Sequence, residues 1–368
     1  MPRADDPYLL PNGTLQNKLG IKNAAELQRR EGELAAAREN VLLNNLPRPP
    51  FTYATLKRVH RDLFQDVYDW AGQQRTGSLR KAAHDGPSSP ENLFAPPDAI
   101  APRLDRLFGK LAADSNLTGL SRTAFAAGAT EVLAEINSVH FAREGNGRAQ
   151  RLLLTAIAAN AGHSLAFDII TRERMVAVSI AAHGGDTGGM RRMFDEILDE
   201  RQVGAMRKAI GFLDAAKSVR WNDTYISTTR PGESYQGVLV SRAGADFMMR
   251  TRRDGEPAIL IGDVRDLPPG VQSGQGLAFQ SSHFGPAAKP ATPTAAIMDA
   301  LRRPDPGTPA PWDANLTPLA ARLAEYNQRM SEKKAAEAAP TSPPKPAPEP
   351  GATPSPRKRP GSDPGPDF

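Results

Sequence analysis

The chain has 368 residues, 46 basic against 41 acidic side chains for a net charge of +5, 39% hydrophobic residues and no cysteine. There is enough apolar material for one large or two smaller domains, no disulfide framework or thiolate metal site is open to it, and the charge is too modest to argue nucleic-acid binding alone. No apolar run approaches a membrane span, and the start MPRADDPYLL lacks the basic region and apolar core of a secretory leader, so neither is expected.

Residues 23–44, rich in Ala, Glu, Leu and Arg, read as the first helix. Thr52 is placed to cap a second, predicted to run to Trp70, because Leu56, Val59, Leu63, Val67 and Trp70 recur at three- and four-residue spacing. Residues 72–99 hold too much Gly, Pro and Ser for a helix. Arg75, Thr76, Leu79, Arg80 and Lys81, then Asn92, Leu93, Phe94, Ala95 and Pro96, suit the two arms of a short two-stranded flap. Residues 100–112, 123–139, 148–161, 171–182 and 190–209 complete a helical bundle, the last with a break expected near Gly204.

From about residue 218 the period shortens. Segments 235–240, 247–251, 258–261 and 277–280 are short and apolar or alternating, split by glycine-rich turns, and predict a small all-β domain over 218–285 closed as a five-stranded barrel. Its basic and aromatic residues are not interleaved in the way that stacks bases, which argues against direct nucleic-acid binding. From residue 286 the chain carries 19 of its 34 prolines, with a helical patch at 316–338 and the ending PSPRKRPGSDPGPDF. Burial cannot offset the ordering entropy of such a tail, so it is expected to be largely disordered. The basic run at 357–359 suits a secretion or transfer signal, a weak polyanion contact, or plain solvated tail.

The densest chemistry is HFAREGNGRAQR at 140–151, a glycine-bearing turn between two predicted helices. Free N–H groups at a helix start form an anion site, and Gly145 and Gly147 let a phosphate approach the backbone. Arg148 and Arg151 lie three apart on one helix face, where both reach the same polyanion. Glu144 would repel a bare phosphate but suits a divalent ion shared with it. His140 can take a proton from an incoming hydroxyl. The remaining histidines, His60, His84, His163, His183 and His283, show no metal-ligand spacing and read as structural.

This constellation resembles the Fic family, whose core motif runs His-x-Phe-x-(Asp/Glu)-Gly-Asn-Gly-Arg-x-x-Arg. His140, Glu144, Gly145, Asn146, Gly147, Arg148 and Arg151 match, whereas Ala142 stands where the family has phenylalanine and Phe141 comes one residue early. The resemblance implies an all-α Fic bundle over residues 1–210 with a small β-hairpin flap, then an OB-like barrel, then the tail at 286–368. It implies a protein adenylyltransferase that moves AMP from ATP to a Ser, Thr or Tyr hydroxyl of a target protein and releases pyrophosphate. His140 would be the base and Glu144 the Mg²⁺ ligand. Gly145, Asn146, Gly147, Arg148 and Arg151 would hold the nucleotide phosphates, and Leu79, Arg80 and Lys81 in the flap would take the target segment. Other members move UMP, phosphocholine or phosphate, or remove AMP; a non-enzymatic conjugation or DNA-processing adaptor is the rival from another class.

The family also restrains itself with a helix bearing Ser/Thr-x-x-x-Glu-Gly/Asn. Glu31–Gly32 comes nearest, but Leu27 stands where the hydroxyl belongs. The resemblance therefore implies a separate small helical inhibitor, as in a toxin–antitoxin pair. It places the chain in the cytoplasm of the producing bacterium, or in another cell after type IV secretion.

Overall fold

The computed structural model describes residues 6–82, 91–216 and 220–284; the proline-rich tail, its helical patch and the tip of the flap lie outside them. Eight α-helices lead into the β region among these residues. Helix α1 (Ala24–Leu43) starts where the Asn23 side chain accepts from Glu26 N–H, and α2 (Tyr53–Phe64) starts at a reciprocal Thr52–Thr55 capping box. Helix α2 stops at Phe64, six residues before the predicted end. Val67 and Tyr68 both donate backbone N–H groups to the Phe64 carbonyl, which turns the chain while Val67 and Trp70 still reach the core. Periodic burial had outlasted the helix that suggested it.

Strands β1 (Arg80–Ala82) and β2 (Glu91–Leu93) pair antiparallel, so the expected two-stranded flap is present. Helix α3 (Pro97–Ala113) has proline at its first position, where no N–H is needed. Helix α4 (Arg122–Val139) is capped by Ser121, and α5 (Asn146–Asn160) follows the motif turn. Helix α5 is buried nearly all round, through Ala149, Leu152, Leu153, Leu154, Ala156, Ile157 and Ala158, as befits the central helix packed against α2 and α4. The rest of the bundle is α6 (Arg172–His183), α7 (Gly188–Ile197) and α8 (Glu200–Ala216). The helix expected over 190–209 with a break near Gly204 is indeed two helices, but they part earlier. The break falls at Leu198–Asp199, where the Asp199 carboxylate accepts from Gln202 N–H and restarts the helix; Gly204 lies inside α8.

The β region is a mixed five-stranded sheet of β3 (Tyr225–Thr228), β4 (Ser234–Ala243), β5 (Asp246–Arg253), β6 (Glu256–Asp263) and β7 (Gly276–Gln280), ordered β3-β6-β5-β4-β7. This corrects the expected OB-like barrel: the sheet is open, with β3 and β7 at opposite ends and β3 parallel to β6. The cause lies in what covers the outer edge of β3. The Ile226 carbonyl accepts from Arg174 of α6 at 3.1 Å, and the Thr228 carbonyl accepts from Arg192 of α7. Residues two apart present their carbonyls to the same side of a strand, so arginines from the bundle satisfy the edge that a closing strand would need. Glu196 balances both guanidiniums, at 2.5 Å from Arg174 and 3.1 Å from Arg192. Burial alone would raise the Glu196 pKa, but the two arginines hold it below the usual range. Ile226, Met248, Ile259 and Ile261 join the core of the bundle, while Leu239, Phe247, Met249, Leu260, Leu277 and Phe279 form a second cluster within the sheet.

Candidate active site

The motif loop joins the C-terminus of α4 to the N-terminus of α5. His140 is the C-cap of α4 and adopts φ 51°, ψ 66°, a left-handed conformation that costs a non-glycine residue about 1–2 kcal/mol. Its N–H still bonds the Ile136 carbonyl at 3.0 Å, and the Phe94 ring stacks on its imidazole at 4.0 Å and 14°. Five residues later Gly145 caps α5 with φ 82°, where a side chain would also collide with the Phe64 ring, so glycine is required twice over. Gly147, the second residue of α5, has no positive φ, and a Cβ there would meet Arg151 at an ordinary contact distance of 3.5 Å.

Between these ends the loop is pinned from inside. Asn146 is buried, and its amide is spent on Ala142: the Ala142 N–H donates to Oδ1 at 3.0 Å, and Nδ2 donates to the Ala142 carbonyl at 2.8 Å. Phe141 is buried edge-on to Tyr53 and His60, at 5.8 and 5.3 Å between ring centres, and Ala142 is enclosed as well. The aromatic that comes one residue early thus anchors the loop. Glu144 is exposed; its Oε1 accepts from Gly145 N–H at 3.0 Å. Arg148 lies over the Phe64 ring at 4.5 Å and donates to Glu31 of α1, whose second oxygen accepts from the Tyr68 hydroxyl. Arg151 is half-buried. Burial lowers its pKa, Glu39 of α1 works against that shift, and Arg148 adds to it.

The sequence-predicted residues of the motif therefore lie on one loop and one helix start. Of the flap residues, Leu79 accepts through its carbonyl from Phe94 N–H at 3.3 Å, and Arg80 and Lys81 occupy β1. Sequence reasoning missed the partners that hold the loop. His60, read as structural with no contacts assigned, donates from Nε2 to the Glu144 carbonyl at 2.7 Å and accepts the Gly72 N–H on Nδ1 at 2.9 Å. Both partners are backbone, which fixes the neutral tautomer with its proton on Nε2, and burial pushes its pKa down to about 4. Arg75, placed in the flap, is wholly buried beneath the loop. Asp6 binds Arg143 at 2.9 Å and Tyr8 packs edge-on to Trp70, so the N-terminal segment crosses the loop too. Glu31, which has Leu27 and no hydroxyl four residues before it, pairs with Arg148 and not with Arg151.

Among the described residues no three carboxylates or histidines cluster in a metal cage, and no helix is long and apolar enough to cross a membrane. Glu144 offers an exposed carboxylate, a hard oxygen donor, beside the cradle. That fits Mg²⁺, which takes one or two carboxylates from a protein when phosphates supply the rest.

Comparison with known proteins agrees with this geometry. Residues 50–158 match the model of the Fic/DOC family. A probable protein adenylyltransferase of Sinorhizobium fredii, y4lH, is 37% identical over 185 residues, half of this chain and 90% of that protein. A protein adenylyltransferase of Bartonella henselae is 34% identical over 274 residues, 71% of this chain, but the chain spans only 49% of that relative's length. The solved structure of the type IV secretion system effector protein BepA superposes with a TM-score of 0.66 at 30% identity, covering 75% of this chain and 96% of that one. With the motif, the bundle, and the Sinorhizobium relative and BepA covered over 90% and 96% of their lengths, the chain belongs to the Fic/DOC family.

Proposed function

We propose that this protein transfers AMP from ATP to a Ser, Thr or Tyr hydroxyl of another protein. The observation that carries the reading is the loop itself: a histidine held at one helix end and, five residues on, a glycine-opened helix start bearing Arg148 and Arg151. In the proposed step the target oxygen forms a bond to the α-phosphorus while the bond to the β-phosphate bridge breaks, and pyrophosphate leaves. The hydroxyl proton passes to the His140 imidazole. N–H groups around Gly145, Asn146 and Gly147 meet the charge on the non-bridging oxygens, and Arg148 and Arg151 hold the outer phosphates. Asn146 contributes by shaping the cradle, since its amide is bonded to Ala142. Glu144 would hold Mg²⁺, which when bound neutralises the phosphates and aids the leaving group. Leu79, Arg80 and Lys81 would align the target segment along the flap edge by strand addition.

The relatives named as adenylyltransferases support the same reading, and the likeness to a type IV secretion effector supports delivery to another cell. Restraint by a separate helical protein that places a carboxylate near Arg151 is part of the proposal; Glu31 is already committed to Arg148 and Tyr68. The test is incubation of the folded protein with ATP labelled at the α-phosphate, Mg²⁺ and lysate freed of inhibitor. Labelled protein bands absent from His140→Ala are expected; no labelling by the wild type with any nucleotide overturns the reading.

A further inference from the structure

We infer that Arg75 is a positioning residue for His140, tying that histidine's backbone to both arms of the flap. The inference rests on the transfer reading above for its kinetic consequence, but the geometry stands by itself. Arg75 is buried, and among the described residues no carboxylate pairs with it. Its partners are carbonyls. The backbone N–H donates to Phe141 at 2.9 Å, Nε donates to His140 at 2.8 Å, and Nη2 donates to Val139 at 3.2 Å. These three consecutive carbonyls sit where α4 ends, and the last carbonyls of a helix lack intrahelical donors and carry its negative pole. The helix terminus thus stands in for a counter-ion.

The same guanidinium reaches the flap on both sides. Nη1 donates to the Gly77 carbonyl at 2.8 Å on the first arm, and Nη2 donates to the Ala95 carbonyl on the second. Ala95 N–H bonds Ser138 of α4 at 3.3 Å, and its neighbour Phe94 carries the ring stacked on the imidazole. His140 is therefore fixed twice: its left-handed backbone by Arg75, its ring plane by Phe94. A rotation of the 140–141 peptide would break the bond to Nε, and a rotation of the 141–142 peptide the bond to the Arg75 N–H. Because both arms of the flap share these donors, a target strand that shifts the flap shifts the base with it. Only a planar fork with several donors serves carbonyls in four directions; lysine keeps the charge but not the fork.

The experiment compares wild type, Arg75→Lys and Phe94→Leu by nucleotide affinity with a non-hydrolysable ATP analogue, by kcat and KM for transfer, and by the NMR titration of the His140 imidazole. The phosphate cradle does not touch Arg75, so ATP-analogue affinity should stay within about threefold while kcat falls by roughly 10²-fold, the loss a misplacement of about 1 Å brings. The His140 resonance and its titration should shift in both variants. An unchanged kcat and resonance in Arg75→Lys overturns the inference, as does parallel loss of nucleotide affinity and turnover in folded protein. Should Arg75→Lys not fold, Arg75→Gln, which keeps a side-chain amide donor without the charge or the fork, takes its place and is judged by the same outcomes, while Phe94→Leu reports on the ring stack alone. Absence of transfer by the wild type would sink the proposed function instead, and the NMR comparison would still judge Arg75.

Discussion

His60 gives the chain a calculable acid sensitivity. Its Nδ1 accepts the Gly72 N–H where the flap segment begins, and its Nε2–H holds the Glu144 carbonyl in the motif loop. Protonation turns Nδ1 into a second donor facing a donor, so the native state excludes the proton. Burial sets the folded pKa at about 4, whereas an unfolded histidine titrates near 6.5. Between these values the unfolded state binds more protons, so stability is fully present above about pH 6.5 and declines as pH falls towards 4. Integrating over that interval gives a loss of about 2 kcal/mol between pH 7 and pH 5 and about 3 kcal/mol once pH is below 4. Urea denaturation of the wild type and of His60→Gln at pH 8, 7, 6 and 5 isolates this contribution, because glutamine can still donate to Glu144 but does not titrate. The stability difference between the two proteins should shrink by about 2 kcal/mol from pH 7 to pH 5. A difference that stays constant within about 0.5 kcal/mol would refute the assigned tautomer and the acceptor role of Nδ1.

Within the loop, His140→Ala should abolish transfer while ATP binding persists, whereas Glu144→Ala and Arg148→Ala should weaken productive Mg-ATP binding as well; isothermal titration beside the labelling assay separates them, and equal loss of affinity in all three would make His140 structural. Phe141→Ala should cost about 3–5 kcal/mol in urea denaturation, the usual loss for a buried aromatic, and a change below about 1 kcal/mol would mean that Tyr53 and His60 do not grip the ring. Arg174→Met should destabilise by about 3–5 kcal/mol, because it removes a buried partner of Glu196 and uncovers the Ile226 carbonyl; a neutral result would show that Arg192 suffices. Glu31→Gln should weaken ATP binding about tenfold by releasing the charge-assisted bond that holds Arg148. A rise in transfer rate instead would show that α1 restrains the enzyme from within and would remove the case for a separate inhibitor.

What the sequence made legible depended on separation along the chain. The helices, the flap arms and the motif are local patterns, readable from three- and four-residue spacings, turn residues and twelve contiguous positions. The groups that hold the motif in shape come from far away: Arg75 bonds His140 across 65 residues, His60 bonds Glu144 across 84, and Arg148 bonds Glu31 across 117. No periodicity reports such pairs, and the residue types concerned are as common on solvated surfaces as under a loop. Strand β3 escaped notice for a related reason: its four residues are all buried, so the alternation that marks a half-exposed strand is missing.

The barrel expectation failed at the same kind of point. Four readable segments suggest a small barrel of five strands, but closure is decided by what satisfies the last edge, and here that is Arg174 and Arg192 from the bundle. Guanidiniums placed on backbone carbonyls do related work in Arg75 at the end of α4 and in Arg174 and Arg192 along β3. At β3 a buried glutamate balances the charge, and at α4 the helix terminus does so. The difference has a mechanical consequence. An arginine paired to a carboxylate retains its counter-charge if a carbonyl moves away, whereas among the described residues Arg75 is bonded to carbonyls alone, so its position and that of the His140 backbone change together.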